Sequence, residues 1–337
     1  MPERVIVVGA GGISNAWFPP LIAEGVEVAA VVDLQPESAQ AQLEKYNLTA
    51  PVFGDLKTAL RKVEADFLLD LTIPDAHCEV TLAALKAGLH VIGEKPMAAS
   101  MGQARRMVKA ADKAGKLYMV SQSRRWDIKH DRVKRTVESG VLGEITTVNC
   151  DFYLGIHFGG FRDEMPSPLI LDMAIHHFDM ARLFTGLDPV AVYAHEYNPR
   201  GSWYAGDVAA VCIFEMSNGA IFTYRGCWCA EGCGTSWNGD WRIIGERGTL
   251  IYAGDNDPHG EIVTAGEGFT CPVQQIEVAA SPLEHTGMRG GLREMLAFLR
   301  TGEKPQTECH DNINSLAMVF AAMKSARKGK RVLVRGL

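Results

Sequence analysis

The chain has 337 residues, a length at which two domains of ~100–200 residues each are expected. Hydrophobic residues make up 47% and charged residues 22%, a balance typical of globular proteins that argues against disorder as the main state. The formal net charge of -6 offers no basic field to a polyanion, so neither nucleic-acid binding nor binding to an anionic membrane is expected.

Signals of the cellular compartment point to the cytoplasm. The opening residues, MPERVIVVGAGG, lack the charged region and longer apolar core of a signal peptide, and no stretch of ~20 apolar residues is present. The cysteines are scattered, and Cys227, Cys229 and Cys233 form a C-x-C-x-x-x-C pattern that matches no standard zinc spacing. They are expected to be packing thiols, and no metal site is predicted.

The first ~120 residues alternate apolar strands with helical stretches, which indicates a parallel sheet covered on both faces. The predicted strands are Arg4–Val8, Val26–Val32, Asp66–Thr72, His90–Ile92 and Leu117–Ser121. The predicted helices are Ser14–Glu24, Pro36–Tyr46, Leu56–Glu64, Ala76–Ala87 and Met101–Ala114. We therefore predict an α/β Rossmann domain with a doubly wound parallel sheet over residues 1–123.

The pattern after residue 123 predicts an α+β domain over residues 124–337, with a large, mostly antiparallel open sheet. Successive strands without intervening helices favour antiparallel pairing, and Asn218-Gly219 between two β-rich runs is a strong hairpin signal. The predicted strands are Thr146–Tyr153, Val190–His195, Val208–Met216, Ala220–Cys229, Asp240–Gly245, Gly248–Tyr252 and Arg331–Val334. The predicted helices are Arg132–Ser139, Met173–Phe184, Arg289–Leu299 and Asn312–Lys324.

The first chemical signal is the segment Gly9-Ala10-Gly11-Gly12-Ile13-Ser14, which follows the first predicted strand and opens the first predicted helix. Glycine at 9 permits a tight turn, and glycine at 11 lets a pyrophosphate approach the amides of a helix N-terminus. Ser14 occupies a fingerprint position that usually holds glycine or alanine, and its small side chain still allows close packing. Taken alone, the motif is also compatible with a simple glycine-rich turn.

The second predicted strand ends at Asp33, where a carboxylate accepts hydrogen bonds from the adenosine ribose hydroxyls of a dinucleotide. Its charge would repel the 2′-phosphate of NADP, and the following Leu34 supplies no compensating cation. NAD is therefore favoured over NADP. An arginine arriving from elsewhere in the chain would weaken this preference.

Two further signals carry the chemistry. In Gly93-Glu94-Lys95-Pro96, a lysine follows a parallel strand at the edge where open α/β sheets bind ligands, although a surface lysine before a turn explains it equally well. Further along, Asp172 and His176 are spaced to lie on one face of a helix, where a carboxylate that orients an imidazole makes a general base. An N-capping aspartate and a core histidine are the alternative. The pair supplies only two metal ligands.

Four segments, in this order, resemble the glucose–fructose oxidoreductase/inositol dehydrogenase/MocA (Gfo/Idh/MocA) family. They are the glycine loop, Leu71-Thr72-Ile73-Pro74-Asp75-Ala76-His77, Glu94-Lys95-Pro96 and Asp172-x-Ala-x-His176-x-x-Asp179. The resemblance covers most of the chain, is strongest before residue 125 and around residues 169–186, and is weak after residue 255. Ala174 departs from the family pattern, in which glycine is common there.

The resemblance implies a role for each matched residue. Lys95 would contact the nicotinamide ribose and the reacting hydroxyl, His176 would be the general acid/base, and Asp172 would be the carboxylate beside it. Spacing favours His176 over the adjacent His177. The implied cofactor residues are Thr72, Ile73, Pro74 and His77 along the cofactor, Glu94 at the nicotinamide ribose, and Gln122 under the nicotinamide.

The family resemblance also implies an activity: an NAD-dependent, reversible oxidation of a secondary hydroxyl in a polyol, sugar or sugar derivative. The substrate residues predicted beside the reacting centre are Lys95, Arg125, Tyr153, His157, Asp172, His176 and Trp237. The glycine-rich stretch 155–168 is either a lid over the pocket or a disordered surface loop. A homodimer or homotetramer, formed through the open face of the C-terminal sheet, is implied as well.

Two other functions stay open at this point. A few similar proteins use bound NAD transiently during glycoside hydrolysis, and net NADH production would distinguish a dehydrogenase from them. The protein could also be a sensor that binds NAD and a sugar without turnover. Lys95, Asp172 and His176 together argue against a sensor, because a pure binder has no need of all three.

Overall fold

The computed structural model describes residues 2–265 and 268–337, and the chain divides into two compact units. Unit 1 comprises the chain up to residue 126 together with 285–313 and residue 337, and unit 2 comprises 127–284 and 314–336. The predicted boundary between residues 123 and 124 is close to the first junction. The segment 285–313 differs from the prediction, since the sequence places it in the second domain and the structure packs it in unit 1.

Unit 1 contains a parallel sheet with helices between successive strands. The strands are β1 Arg4–Val8, β2 Glu27–Val32, β3 Val52–Phe53, β4 Phe67–Asp70, β5 His90–Glu94 and β6 Tyr118–Ser121. The helices are α1 Ser14–Ala23, α2 Pro36–Lys45, α3 Leu56–Lys62, α4 Pro74–Lys86 and α5 Met101–Ala114. The sheet order is β3-β2-β1-β4-β5-β6, and every pair is parallel. The predicted Rossmann topology is thus confirmed, with β3 as an additional strand.

The segment that returns to unit 1 is held by contacts with Trp126, the last residue of a 3₁₀ turn. A Cβ atom on Gly290 would lie 2.5 Å from the Trp126 side chain, so only glycine allows the helix to approach this closely. The indole Nε1 of Trp126 donates a hydrogen bond to Glu294 at 2.7 Å, and Arg289 pairs with Glu24 at 2.5 Å. These partners are far apart in sequence, which explains why the sequence does not reveal this packing.

Unit 2 contains one large sheet. Its strands are β7 Ile145–Tyr153, β8 Pro189–Tyr197, β9 Ala209–Met216, β10 Ile221–Cys227, β11 Asp240–Gly245, β12 Gly248–Tyr252, β13 His259–Val263, β14 Val273–Gln275 and β15 Val332–Leu333. The order is β14-β13-β12-β11-β7-β10-β9-β8-β15, antiparallel except for the parallel pair of β7 and β10. The predicted hairpin at Asn218-Gly219 is confirmed, with Gly219 at φ 88°.

The remaining helices are α6 Ile128–Glu138, α7 Ile175–Thr185, α8 Gly287–Thr301 and α9 Cys309–Lys328. Helix α7 packs on the sheet through Phe178, whose ring lies 4.9 Å from that of Phe214 and 5.4 Å from that of Tyr224. It is also bonded to α9, because Ser315 donates a hydrogen bond to the buried Asp179 at 2.6 Å. This helix, which carries the predicted base, therefore has a fixed position on the sheet. Among the described residues, no helix combines the length and hydropathy needed to cross a bilayer.

Candidate active site

The glycine loop adopts the backbone conformation that the sequence predicts. Gly9 has φ 99°, and a Cβ atom there would lie 2.7 Å from the Leu71 carbonyl oxygen, so no other residue fits. Ser14 is fully buried and donates a hydrogen bond to the Gly11 carbonyl at 2.6 Å. A Cβ atom on Gly11 or Gly12 would meet nothing within 4 Å, so there is open space beside the first turn of α1. A pyrophosphate fits this space next to the helix N-terminus.

Asp33 links the end of β2 to the glycine loop. Its carboxylate accepts hydrogen bonds from the Ala10 amide at 2.7 Å and from the Gln35 amide at 2.8 Å. Each carboxylate oxygen keeps further acceptor capacity, which a pair of ribose hydroxyls could use. Leu34 beside it is 91% exposed, and Ile73 on the next loop is 66% exposed. Apolar side chains this exposed at the carboxyl edge of a sheet suit contact with a bound cofactor.

The loop after β4 is organised by Asp70 and His77. Thr72 donates its amide and its hydroxyl to Asp70, at 3.1 and 2.6 Å, and Pro74 opens α4. His77 is 1% exposed, with Nδ1 2.9 Å from the Pro96 carbonyl and Nε2 3.0 Å from the Thr72 carbonyl. Both ring nitrogens lie within hydrogen-bond distance of backbone carbonyls, so His77 ties this loop to the one that follows Lys95, and its contact with the cofactor stays a prediction.

The Glu94-Lys95-Pro96 segment ends β5 at the carboxyl edge of the sheet. Glu94 is buried, and it accepts hydrogen bonds from Trp17 Nε1 at 2.8 Å and from the Lys95 amide at 3.1 Å. Burial raises the pKa of Glu94 despite these donors. Lys95 is partly buried, and the Lys95–Pro96 peptide bond is cis. These contacts give Glu94 a role in fixing the backbone at Lys95, beside its predicted contact with the nicotinamide ribose.

Gln122 lies just beyond the end of β6. It is 1% exposed, and its Nε2 is buried with no hydrogen-bond partner among the described residues. A buried amide donor of this kind is costly unless something accepts from it. The carboxamide oxygen of a nicotinamide is such an acceptor. Together with the open space at Gly11 and Gly12, this buried donor indicates that the residues of unit 1 fit a dinucleotide.

In unit 2, the helix predicted over Met173–Phe184 begins earlier, at Leu169, and its first turn has irregular geometry. Residues Leu169–Ala174 form a π-helical turn that runs into α7, and Asp172 lies within it. π-Helical turns occur frequently at functional sites. Spacing arguments assume α-helical geometry, so the sequence could not predict this turn. The Asp172 carboxylate pairs with Arg162 Nε at 2.6 Å, a contact that the sequence analysis did not anticipate.

The two adjacent histidines of α7 have different surroundings. His177 is fully buried, with its ring 4.7 Å from that of Phe152 and 5.5 Å from that of Tyr224, and its Nε2 is 3.3 Å from the Trp237 carbonyl. His176 is partly exposed. A general base must reach a substrate, which a histidine enclosed by aromatic core residues cannot do. The environment thus supports His176 as the base.

The glycine-rich stretch 155–168 is attached to its surroundings at both ends. The Ile156 carbonyl accepts a hydrogen bond from the Tyr204 hydroxyl at 2.6 Å, and the Asp163 carbonyl accepts one from the Ala205 amide at 2.8 Å. A short 3₁₀ turn, Gly160–Arg162, forms the tip between these attachments. The sequence left a lid and a disordered surface loop as alternatives for this stretch. These bonds argue against a disordered loop.

The remaining predicted substrate residues are divided between the two units. Arg125 is buried in unit 1, where its guanidinium binds the Gln306 carbonyl and Asp311, both at 2.8 Å, which does not support a substrate role. Tyr153 lies on the face of β7 opposite to Phe152, whereas Phe152 faces α7 and His177. His157, in the 155–168 loop, stacks on Trp203, which lies outside the loop, with the ring centres 3.7 Å apart.

Trp237 lies among aromatic rings of unit 2, and its role in substrate binding stays a prediction. It is 43% exposed, and its ring lies 6.3 Å from that of Phe152 and 6.4 Å from that of Phe158. Phe158 and the neighbouring Phe161 were missed by the sequence analysis. Aromatic residues within a glycine-rich stretch were the available signal.

The described residues contain one group of three potential metal ligands close together, namely Glu308, Cys309 and His310. Burial, reinforced by Glu308, raises the pKa of the Cys309 thiol and so disfavours the thiolate that binds metals. His310 Nδ1 instead pairs with Glu308 at 2.6 Å. Elsewhere, Cys227 and Cys229 have their sulfur atoms 3.5 Å apart. The absence of a metal remains a prediction.

Comparison with known proteins identifies the family. Residues 3–122 match the model of an oxidoreductase family with an NAD-binding Rossmann fold, Gfo/Idh/MocA, and residues 130–251 match a C-terminal domain of the same family. The chain belongs to the Gfo/Idh/MocA oxidoreductase family. The family resemblance inferred from the sequence is thereby confirmed. The prediction that the Rossmann domain binds NAD is confirmed as well.

Similar proteins in this family include several of known activity. The chain is 28% identical to the uncharacterised protein y4oX of Sinorhizobium fredii, over 99% of this chain and 96% of that one. It is 34% identical to the D-glucoside 3-dehydrogenase of Escherichia coli, over 60% and 59% of the two chains, and 27% identical to the myo-inositol 2-dehydrogenase of Thermotoga maritima, over 98% of each. An oxidoreductase from Agrobacterium radiobacter, solved with NAD+, L-tartaric acid and magnesium, has the same fold, with a TM-score of 0.86, 21% identity and 99% coverage of both chains.

Proposed function

We propose that the protein is an NAD-dependent dehydrogenase that reversibly oxidises a secondary hydroxyl group of a polyol, a sugar or a sugar derivative. The observation that carries this proposal is the position of Lys95. It follows β5 at the same sheet edge as the open glycine loop and the buried Gln122 donor. Ligands of open α/β sheets bind at this edge. The dehydrogenases of glucosides and of myo-inositol among its relatives favour a sugar or polyol substrate.

The residues of the chain supply binding, proton transfer and charge stabilisation. Bound NAD would supply the acceptor for the hydride that leaves the oxidised carbon. We assign to Lys95 the stabilisation of the negative charge that develops on the substrate oxygen. We assign to His176 the removal of the hydroxyl proton, with Asp172 holding the imidazole in position. The backbone at Lys95 is fixed by the buried Glu94, which accepts the Lys95 amide hydrogen bond.

The experiment is a substrate panel. Purified protein with NAD is incubated with inositols, aldoses and glycosides, and NADH and the carbonyl product are both measured. A dehydrogenase forms the two in equal amounts. Release of a free sugar from a glycoside without net NADH would instead identify an NAD-dependent glycoside hydrolase. Binding without any product would identify a sensor, and either result would refute the proposal.

Asp33→Ser is expected to narrow the preference for NAD over NADP. The wild-type carboxylate repels a 2′-phosphate, and the exposed Leu34 beside it brings no cation. Affinities for both cofactors, measured by calorimetry, should favour NAD in the wild type and converge in the variant. Asp55→Ser is the matched control, because Asp55 caps α3 in the same unit and its replacement should not alter the ratio. Equal or tighter NADP binding by the wild type would refute the argument.

We also propose that the protein is a homodimer or homotetramer. The face of the unit 2 sheet turned away from α7 exposes large apolar side chains, among them Tyr193 at 48% and Ile213 at 43%. An apolar patch of this kind marks a contact surface. Light scattering at micromolar concentration should give a multiple of 36.8 kDa. A particle of the monomer mass would overturn this proposal.

A further inference from the structure

An ion pair of Arg162 joins the tip of the 155–168 loop to the π-helical turn. Arg162 Nε lies 2.6 Å from an oxygen of the Asp172 carboxylate. The arginine side chain is 33% exposed and the aspartate 16%, so the pair is only partly screened by solvent. Charge-assisted hydrogen bonds of this length are among the stronger side-chain contacts.

The guanidinium is also flanked by the aromatic rings of the same loop. Its carbon lies 4.9 Å from the centre of the Phe158 ring and 4.8 Å from that of the Phe161 ring. Both distances are within the range of cation–π contacts. Phe158 in turn packs against Trp228 with ring centres 5.0 Å apart. The arginine therefore has a defined direction toward Asp172, because rings on its own loop hold it there.

The tip of the loop contains two consecutive glycines with positive φ angles. Gly159 and Gly160 are consecutive, and both have φ 69°, a conformation that glycine adopts without strain. Phe161 is 69% exposed, so little packing opposes a displacement of the tip. On either side, the carbonyls of Ile156 and Asp163 are bonded to residues 204 and 205. Arg162 thus joins the glycine-containing tip of the loop to Asp172, the carboxylate with a predicted catalytic role.

We propose that Arg162 is a positioning residue that holds the 155–168 loop and the Asp172 carboxylate together, and that the substrate enters when this pair opens. The proposal rests on the proposed function, because Asp172 is taken to orient the base His176. Re-formation of the pair after the substrate has bound fixes the carboxylate for the proton transfer. Arg162 is not assigned any contact with the reacting atoms.

The physical part of the proposal is tested without turnover, by amide hydrogen exchange in the 155–168 loop. Arg162→Gln and Asp172→Asn should each accelerate exchange there by a similar factor, because each breaks the same pair. The double variant should show no further acceleration, as expected of two residues that act through one contact. Arg135→Gln is the matched control, since Arg135 forms an ion pair with Asp131 within α6 of the same unit. Unchanged exchange in Arg162→Gln, or additive effects in the double variant, would overturn the proposal.

The catalytic part is tested on the substrate that the panel identifies. Arg162→Gln should lower kcat/KM by roughly tenfold to a hundredfold, because small misplacements of positioning groups have effects of this size. We expect both a lower kcat, from a displaced Asp172, and a higher KM, from an open loop. Arg162→Lys should recover part of the loss, since it restores the charge without the planar guanidinium. Faster amide exchange in Arg162→Gln without any change in kcat or KM would refute the positioning role. A wild-type protein that reduces no NAD with any substrate would instead refute the proposed function, and the exchange result would still hold.

Discussion

Lys95→Ala is expected to lower the turnover of the identified substrate by about 10²–10⁴-fold, the usual cost of losing a group that acts on the reacting hydroxyl. The variant lacks the ammonium group that we propose to stabilise the developing oxyanion. NAD affinity should weaken only modestly, because the glycine loop and Asp33 remain intact. Steady-state kinetics and calorimetry with NAD measure the two effects separately.

The control for this variant is Lys86→Ala. Lys86 is an exposed lysine in the last turn of α4 in the same unit, so its removal changes the charge equally without touching the site. Turnover and NAD affinity should both stay near the wild-type values. A Lys95→Ala enzyme that loses NAD binding as strongly as turnover would contradict the assignment, because Lys95 would then be a cofactor-binding residue alone.

His176→Ala is expected to reduce turnover by a similar factor, about 10²–10⁴-fold, while leaving thermal stability and NAD affinity close to the wild type. His176 is less buried than His177, so its loss should cost the folded structure less stability. His177→Ala should instead lower the stability of the fold and have the smaller effect on turnover. Its ring packs against Phe152 and Tyr224, so truncation opens a cavity and lowers the free energy of unfolding by about 2–5 kcal/mol.

The comparison of these adjacent histidines must be made at a temperature at which both variants are folded. Thermal unfolding identifies that temperature, and kcat is then measured for each variant. If His177→Ala lowers kcat more than His176→Ala does under those conditions, then the base has been assigned to the wrong residue.

The parts of the fold that follow from local patterns could be predicted from the sequence. Apolar runs such as Arg4–Val8 indicate buried parallel strands, and Asn218-Gly219 indicates a hairpin. The strands β3, β13 and β14 were missed. β3 has two residues and β14 has three, none of them buried, and β13 has one buried residue, so they lack the alternation of apolar residues that reveals a strand. β3 and β14 are edge strands and β13 lies next to β14, and all three form through pairing with their neighbours and not through a pattern of their own.

In the candidate site, too, some features could be predicted from the sequence and others could not. The conformation of Gly9 and the position of Lys95 at a strand end both follow from residues that are close in sequence. The surroundings of His77 and Arg125 do not, because their partners, the Pro96 carbonyl and Asp311, are brought close only by the fold. The Arg162–Asp172 pair was missed for a related reason: the irregular π-helical turn, and not ordinary helical spacing, positions this carboxylate.

The most direct test of the account is the fate of the hydrogen on the reacting carbon. The substrate found in the panel is prepared with deuterium at that carbon and incubated with the wild-type protein and NAD. We predict that each carbonyl product is accompanied by one NADH that carries the deuterium on its nicotinamide ring. Recovery of unlabelled NAD with the deuterium still on the substrate or released to water would contradict the assignment of this protein as a dehydrogenase.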